Sequence, residues 1–281
     1  MRFVTTPIGK LPVLGLGTWR MGESARMRAA EISAVRCALD LGYRLIDTAE
    51  MYGEGGAEEI VGAATSAALA AGTVQRSELF IVSKVYPHNA SRRGAIAACE
   101  RSLKRLQLDY LDVYLLHWRG QHPLADTVAA FEELRDRGLI RHWGVSNFDV
   151  ADMQELERDS AHCVLNQVYY SASTRGIEFD LLRWHRKHQI ATIAYSPIDE
   201  GALARDRTFA AVGRRHGVSA ARAALAWVLR QPDVIAIPKA VSEEHLRDNL
   251  AAADLVLSAE DLAKIDARFP APRRKQSLGM R

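Results

Sequence analysis

Residues Arg44–Gly53 read RLIDTAEMYG: a short apolar run that breaks abruptly into a carboxylate, a hydroxyl, a second carboxylate, a phenol and a glycine. Its β-branched and aliphatic start fits a buried strand of the parallel type, which is apolar throughout. An acid at the end of such a strand, Asp47, with Tyr52 five positions on, marks a place where polar groups meet a core.

Seven further runs have the same character: VLGLGTW (13–19), LFIVSKV (79–85), LDVYLLHW (111–118), IRHWGVSN (140–147), VLNQVYY (164–170), ATIAYSP (191–197) and VIAIPKA (234–240). Between them lie segments such as ARMRAAEISAVRCALDLG, SRRGAIAACERSLKRLQ and DTVAAFEELRDRG, with apolar residues every three or four positions and a helix-stopping end. Eight strand-then-helix units predict a (β/α)8 TIM barrel rather than an open sheet. The leading MRFVTTPIGKLP predicts a small hairpin at the bottom of the barrel, and no composition shift divides the chain, so residues 1–281 are expected to be one domain.

The composition excludes several classes of function. At 48% hydrophobic and 25% charged, the 281 residues are those of an ordinary folded chain. A net charge of +3, with both signs interspersed, gives no nucleic-acid footprint. Cys37, Cys99 and Cys163 lack the spacing of a zinc site or a disulfide framework. No segment predicts a signal peptide or a membrane span, so the expectation is a cytoplasmic monomer acting on a small molecule.

In such a barrel the site lies at the C-terminal ends of the strands. Those ends carry Thr18 and Trp19, Asp47, Lys84, His117, Ser146 and Asn147, Asn166 and Gln167, Tyr195 and Ser196, and Lys239. Asp47, Lys84 and His117 should converge, with Tyr52 reaching in from the loop after the second strand. A neighbouring ammonium favours phenolate, so Lys84 is expected to lower the pKa of Tyr52 into the working range of a proton donor. Asp47 would orient Lys84, and His117 would donate a hydrogen bond to a substrate oxygen.

Taken together, DTAEMYG, SKVY, LLHW, GVSNF, NQVYY, AYSP and IPKAVSEEHLRDN resemble the aldo-keto reductase family, in order and over almost the whole chain, and most of all its short-loop bacterial members that reduce methylglyoxal and other small aldehydes. The resemblance implies an NADPH-dependent reductase. It implies Asp47, Tyr52, Lys84 and His117 as catalytic residues, and Thr18, Trp19, Ser146, Asn147, Gln167, Tyr195, Ser196, Pro197, Lys239 and Asn249 as cofactor contacts. Tyr195 would stack on the nicotinamide, Ser146, Asn147 and Gln167 would hold its carboxamide, and Lys239 would meet the 2′-phosphate. Trp19, Tyr86 and Trp118 would wall the substrate pocket.

The chain also departs from the family pattern. Ala240 and His245 stand where many NADPH-dependent members have a serine and an arginine, which is expected to weaken the preference over NADH by about 1–3 kcal/mol unless Arg247 compensates. Arg119 replaces a proline after LLHW, and SPIDEG (196–201) replaces SPLG.

The same residues admit other readings. Lys84 at a strand end also suits a Schiff-base aldolase, and a non-catalytic nucleotide-binding member of the family is a third possibility. His185 and His188 share a helical face, but no third ligand accompanies them; a solvated face is expected and no metal is assigned. GLGTWRMG imitates a dinucleotide glycine pattern with its third glycine misplaced, and reads as barrel turn chemistry. The tail PAPRRKQSLGMR is expected to be solvated, and the short connection RGQHPLADT to leave a shallow, open site.

Overall fold

The computed structural model describes residues 2–281. Two short strands, β1 (Phe3–Thr6) and β2 (Gly9–Pro12), pair antiparallel as the expected hairpin, and Val4 and Leu11 turn into the core. Gly9 takes φ +110° at the turn, a conformation open to glycine. Arg2 ties this end down by donating to the Leu229 carbonyl at 2.5 Å.

Eight parallel strands follow: β3 (Leu16–Gly17), β4 (Leu45–Asp47), β5 (Phe80–Val85), β6 (Leu111–Leu116), β7 (Ile140–Ser146), β8 (Cys163–Tyr169), β9 (Ala191–Tyr195) and β10 (Val234–Ala236). Each pairs with the next in sequence. Closure comes from backbone bonds between the first and last strands, Gly15 N to Ala236 O at 2.9 Å, Ala236 N to Val13 O at 2.9 Å and Gly17 N to Pro238 O at 3.1 Å. The sheet is therefore the predicted (β/α)8 barrel, and each of the eight apolar runs supplies one strand.

The outer layer is α1 (Arg28–Asp40), α2 (Gly56–Ala70), α3 (Arg92–Leu106), α4 (Leu124–Asp136), α5 (Val150–Asp159), α6 (Leu181–His188), α7 (Arg207–His216), α8 (Ala220–Leu229), α9 (Glu243–Ala251) and α10 (Ala259–Arg268). Local chemistry sets several starts. Ser91 caps α3 by accepting from Gly94 N, and Asp149 caps α5 with a reciprocal bond from Asp152. Two helices, α7 and α8, fill the β9–β10 connection, and α10 packs on α7. Among the described residues no helix is long and apolar enough to cross a membrane.

Two sequence expectations are corrected by packing. His185 is not on a solvated face: it is buried between Asn166 (3.1 Å from Nε2) and Thr192 (2.8 Å from Nδ1), whereas His188 stacks on Trp184. The tail is not free either. Lys275 reaches Asp149 and Asp180 at 3.6 and 3.4 Å, Leu278 packs on the core, and Arg281 returns to the strand ends.

Burial pushes His185 down to about 3, against about 6.5 in an unfolded chain. The unfolded state therefore binds the extra proton between these values, and stability falls as pH drops below about 6.5, by ~3 kcal/mol near pH 4.5. Urea unfolding across that interval should show a clearly shallower loss in His185→Gln than in the native protein.

Candidate active site

The strand ends bring the predicted polar residues together. Lys84, near the end of β5, is wholly buried, and its Nζ donates to Asp47 Oδ2 at 2.8 Å, Thr48 O at 2.9 Å and Tyr52 Oη at 3.1 Å. An ammonium has three protons and no lone pair, so all three are spent. Tyr52 Oη accepts from Lys84, which leaves the phenol's own proton free to point elsewhere. The other carboxylate oxygen of Asp47, Oδ1, accepts from Gln167 Nε2 at 2.6 Å, so both oxygens are held. Thr18 steadies the same strand end by donating its hydroxyl to the Asp47 backbone carbonyl at 2.9 Å.

The loop after β4 carries Tyr52 through a tight turn in which Gly53 and Gly55 take φ +57° and +93°. A Cβ on Gly53 would lie 2.7 Å from the Gly22 carbonyl carbon, so close backbone approach holds this loop against the one after β3. The Tyr52 ring then meets Trp19 at 5.0 Å and His117 at 5.6 Å, both edge-on.

The electrostatics differ from expectation at Tyr52. Burial pushes its phenol well above the ordinary range, and Asp47 and Tyr195 add to the rise. The Lys84 charge does not reverse this, because Asp47 already neutralises it. Burial likewise pulls Lys84 down and Asp47 up, each opposed by its partner. Tyr52 is thus a neutral phenol at pH 7. His117 is neutral too, held well below its usual value by burial and by Lys84. Its Nδ1 is enclosed without a partner among the described residues.

A cavity of about 610 Å³ opens above these groups. Its lining includes Asp47, Tyr52 and His117, the apolar side chains of Trp19, Met51 and Trp118, and Ser146, Asn147, Gln167, Tyr195, Ser196, Pro197 and Lys239. Tyr195 donates to Asn147 Oδ1 at 2.8 Å, and Asn147 Nδ2 bridges His117 O and Ser146 Oγ, both at 3.1 Å. Asn147 and Ser196 hold φ at +61° and +47°, strained values that the surrounding bonds maintain.

Three expected contacts lie outside this lining. The Thr18 hydroxyl is committed to the barrel backbone, Asn249 is buried on α9, and Tyr86 sits one layer out, packed on Trp118 at 5.1 Å. Arg247 is bound to Glu243 at 2.7 Å instead of facing the cavity, and Arg119 forms a two-pronged pair with Glu155 at 2.6 Å.

Sequence reading missed the rim. Arg20 meets Glu200 at 3.3 Å, and Arg281 pairs with Asp199 and lies 3.6 Å from Glu200. These pairs join the loop after β3, the loop after β9 and the tail, so the tail borders the site. Local signals existed for Arg20, next to Trp19, and for the acids of SPIDEG; Arg281 comes close only through tertiary docking.

The aldo/keto reductase family pattern matches residues 13–268. The chain belongs to the aldo/keto reductase family. It is 47% identical over 277 residues to methylglyoxal reductase YeaE of Escherichia coli, covering 96% of this chain and 95% of that one. With glyoxal reductase of Bacillus subtilis it shares 38% over 259 residues, 92% and 89% of the two chains. An aldo-keto reductase from Klebsiella pneumoniae, crystallised in complex with NADPH, superposes with a TM-score of 0.93 at 46% identity over 100% of both chains.

An aldolase would need Lys84 as a free neutral amine, whereas its three protons are taken up by three acceptors. Cutting the pair makes its own test. Asp47→Ala leaves the ammonium buried beside no counter-charge and should lower unfolding stability by ~3–5 kcal/mol, while Asp47→Leu with Lys84→Met should recover most of it in chemical denaturation.

Proposed function

We propose that the protein is an NADPH-dependent reductase of small 2-oxoaldehydes such as methylglyoxal, with Tyr52 as proton donor. The observation that carries this reading is the three-acceptor arrangement of Lys84, which leaves the one remaining phenolic proton of Tyr52 available beside the cavity. NADPH in its bound state supplies a hydride to the substrate carbonyl carbon.

The residues present suit that cofactor. Tyr195 offers an aromatic face, Ser146, Asn147 and Gln167 offer amide and hydroxyl groups beside it, and Ser196 and Pro197 line the next part of the wall. Lys239 lies exposed at the cavity with no carboxylate partner among the described residues, as a phosphate contact requires.

The chain's own residues then handle the carbonyl oxygen. His117, neutral, donates a hydrogen bond that orients it, and Tyr52 delivers its proton as negative charge develops there. A high pKa does not disable this donor. An alkoxide is a far stronger base than a phenolate, and so takes a proton from a phenol readily. Lys84, kept charged and oriented by Asp47, donates to the phenolate left behind, and Trp19 and Trp118 line the cavity beside it.

The small-aldehyde assignment rests on the names of the two relatives and on the aromatic lining that Trp19 and Trp118 give the cavity near Tyr52 and His117. The proposed site is complete within one chain, which supports action as a monomer. Lys239 is the cation assigned to the 2′-phosphate, and Ala240, His245 and the engaged Arg247 give it no help, so NADH should be accepted as a weaker cofactor.

Two variants test the reading through NADPH consumption with methylglyoxal. Tyr52→Phe should lower kcat by about 10²–10⁴-fold while NADPH still binds, and undiminished turnover would remove Tyr52 from the mechanism. Lys239→Ala should raise KM for NADPH and leave KM for NADH unchanged; equal effects on both would place the phosphate contact elsewhere.

A further inference from the structure

Glu58 is a wholly buried carboxylate outside the cavity that the mechanism above does not use. It stands in the first turn of α2, which begins directly after the turn 52–55 that carries Tyr52. Its Oε1 accepts from Ser83 Oγ at 2.5 Å, and its Oε2 accepts from Arg105 Nε at 2.6 Å. Ser83 is the neighbour of Lys84 in β5, and successive side chains of a strand point to opposite faces. Ser83 therefore faces the helix layer while Lys84 faces the barrel interior.

Arg105, in the last turn of α3, completes the arrangement. It donates to Ser102 Oγ at 3.2 Å, and its side chain lies across Gly55: a Cβ there would be 2.6 Å from Arg105 Cδ and Nε. Gly62 allows the approach of the two helices, since a Cβ at that position would be 2.4 Å from the Arg105 carbonyl oxygen. Burial pushes the Glu58 carboxyl up, and Arg105, Ser83 and Ser102 pull it back. An apolar pair would hold helix to strand as well as this one, without the cost of desolvating charge, but it would not fix direction.

We propose that Glu58 and Ser83, held by Arg105, are positioning residues that set the separation and direction between Tyr52 Oη and Lys84 Nζ. One bond, Ser83 to Glu58, joins the strand of the ammonium to the helix that follows the phenol. Arg105 presses on the same loop at Gly55. The inference rests on the reading of Tyr52 as proton donor and Lys84 as its partner.

Steady-state NADPH oxidation with methylglyoxal in the full chain tests it, using Ser83→Ala, Tyr52→Phe and their combination. Ser83→Ala should lower kcat about tenfold, the scale of a small misplacement of a reacting group, with KM and NADPH affinity by fluorescence titration within about twofold. In the Tyr52→Phe background the same change should cost nothing more, because the group it positions has gone. A merely structural bond would subtract equally from both backgrounds, and that result overturns the proposal, as does native turnover in Ser83→Ala. Glu58→Gln keeps the shape but cannot accept at both positions, so it should reproduce the kcat loss; native turnover in it overturns the brace independently. If Tyr52→Phe turns over like the native protein, the reading of the site itself fails and takes the inference with it. An inactive Tyr52→Phe beside an unaffected Ser83→Ala removes the brace alone.

Discussion

The rest of the site depends on one buried ion pair. Lys84 and Asp47 are 2.8 Å apart with side-chain exposures of 0% and 2%, in a medium where an unpaired charge is not tolerated. Because the ammonium must satisfy every proton, it draws on Thr48 and Tyr52 as well as Asp47. Because the carboxylate must satisfy both oxygens, it draws on Gln167 from the far side of the barrel. Three strand ends, those of β4, β5 and β8, are thereby fixed relative to one another by the requirement that two buried charges stay paired.

This constraint also explains the direction of the Tyr52 shift. The sequence places a lysine near the phenol, and the simple inference is that its charge favours phenolate. Once Asp47 neutralises that charge, the phenol sees a nearly neutral pair and a dry surrounding, and the desolvation of phenolate dominates. A proton donor that stays protonated until an alkoxide forms next to it suits carbonyl reduction better than a half-ionised one. The neighbouring His117, kept neutral by the same burial, adds a donor without adding a charge.

Much of the barrel was legible because its determinants are local. Each apolar run carries a polar residue in its C-terminal part, as Lys84 in LFIVSKV, and strand alternation followed by a helix gives both the topology and the end at which the site must lie. The convergence of Asp47, Lys84 and His117 follows from that topology alone. Where the outcome depended on tertiary packing, local reading failed. His185 has the helical spacing of a surface residue, yet lies where α6 meets β8 and β9 and bonds Asn166 and Thr192. Arg281 belongs to a basic tail that looks solvated, but Asp199 and Glu200 draw it to the rim. The Thr18 hydroxyl and the Glu58–Ser83 bond are likewise set by which backbone or helix happens to pass, information that no short motif contains.

The central claim is that the proton reaching the substrate oxygen comes from Tyr52. Single-turnover oxidation of NADPH by methylglyoxal, run with deuterium at the transferable cofactor position and separately in deuterated solvent, tests this most directly. The account predicts that both substitutions slow the native protein, and that in Tyr52→Phe the cofactor effect remains while the solvent effect disappears. A solvent effect of the same size in Tyr52→Phe would show that another group delivers the proton, and would contradict it.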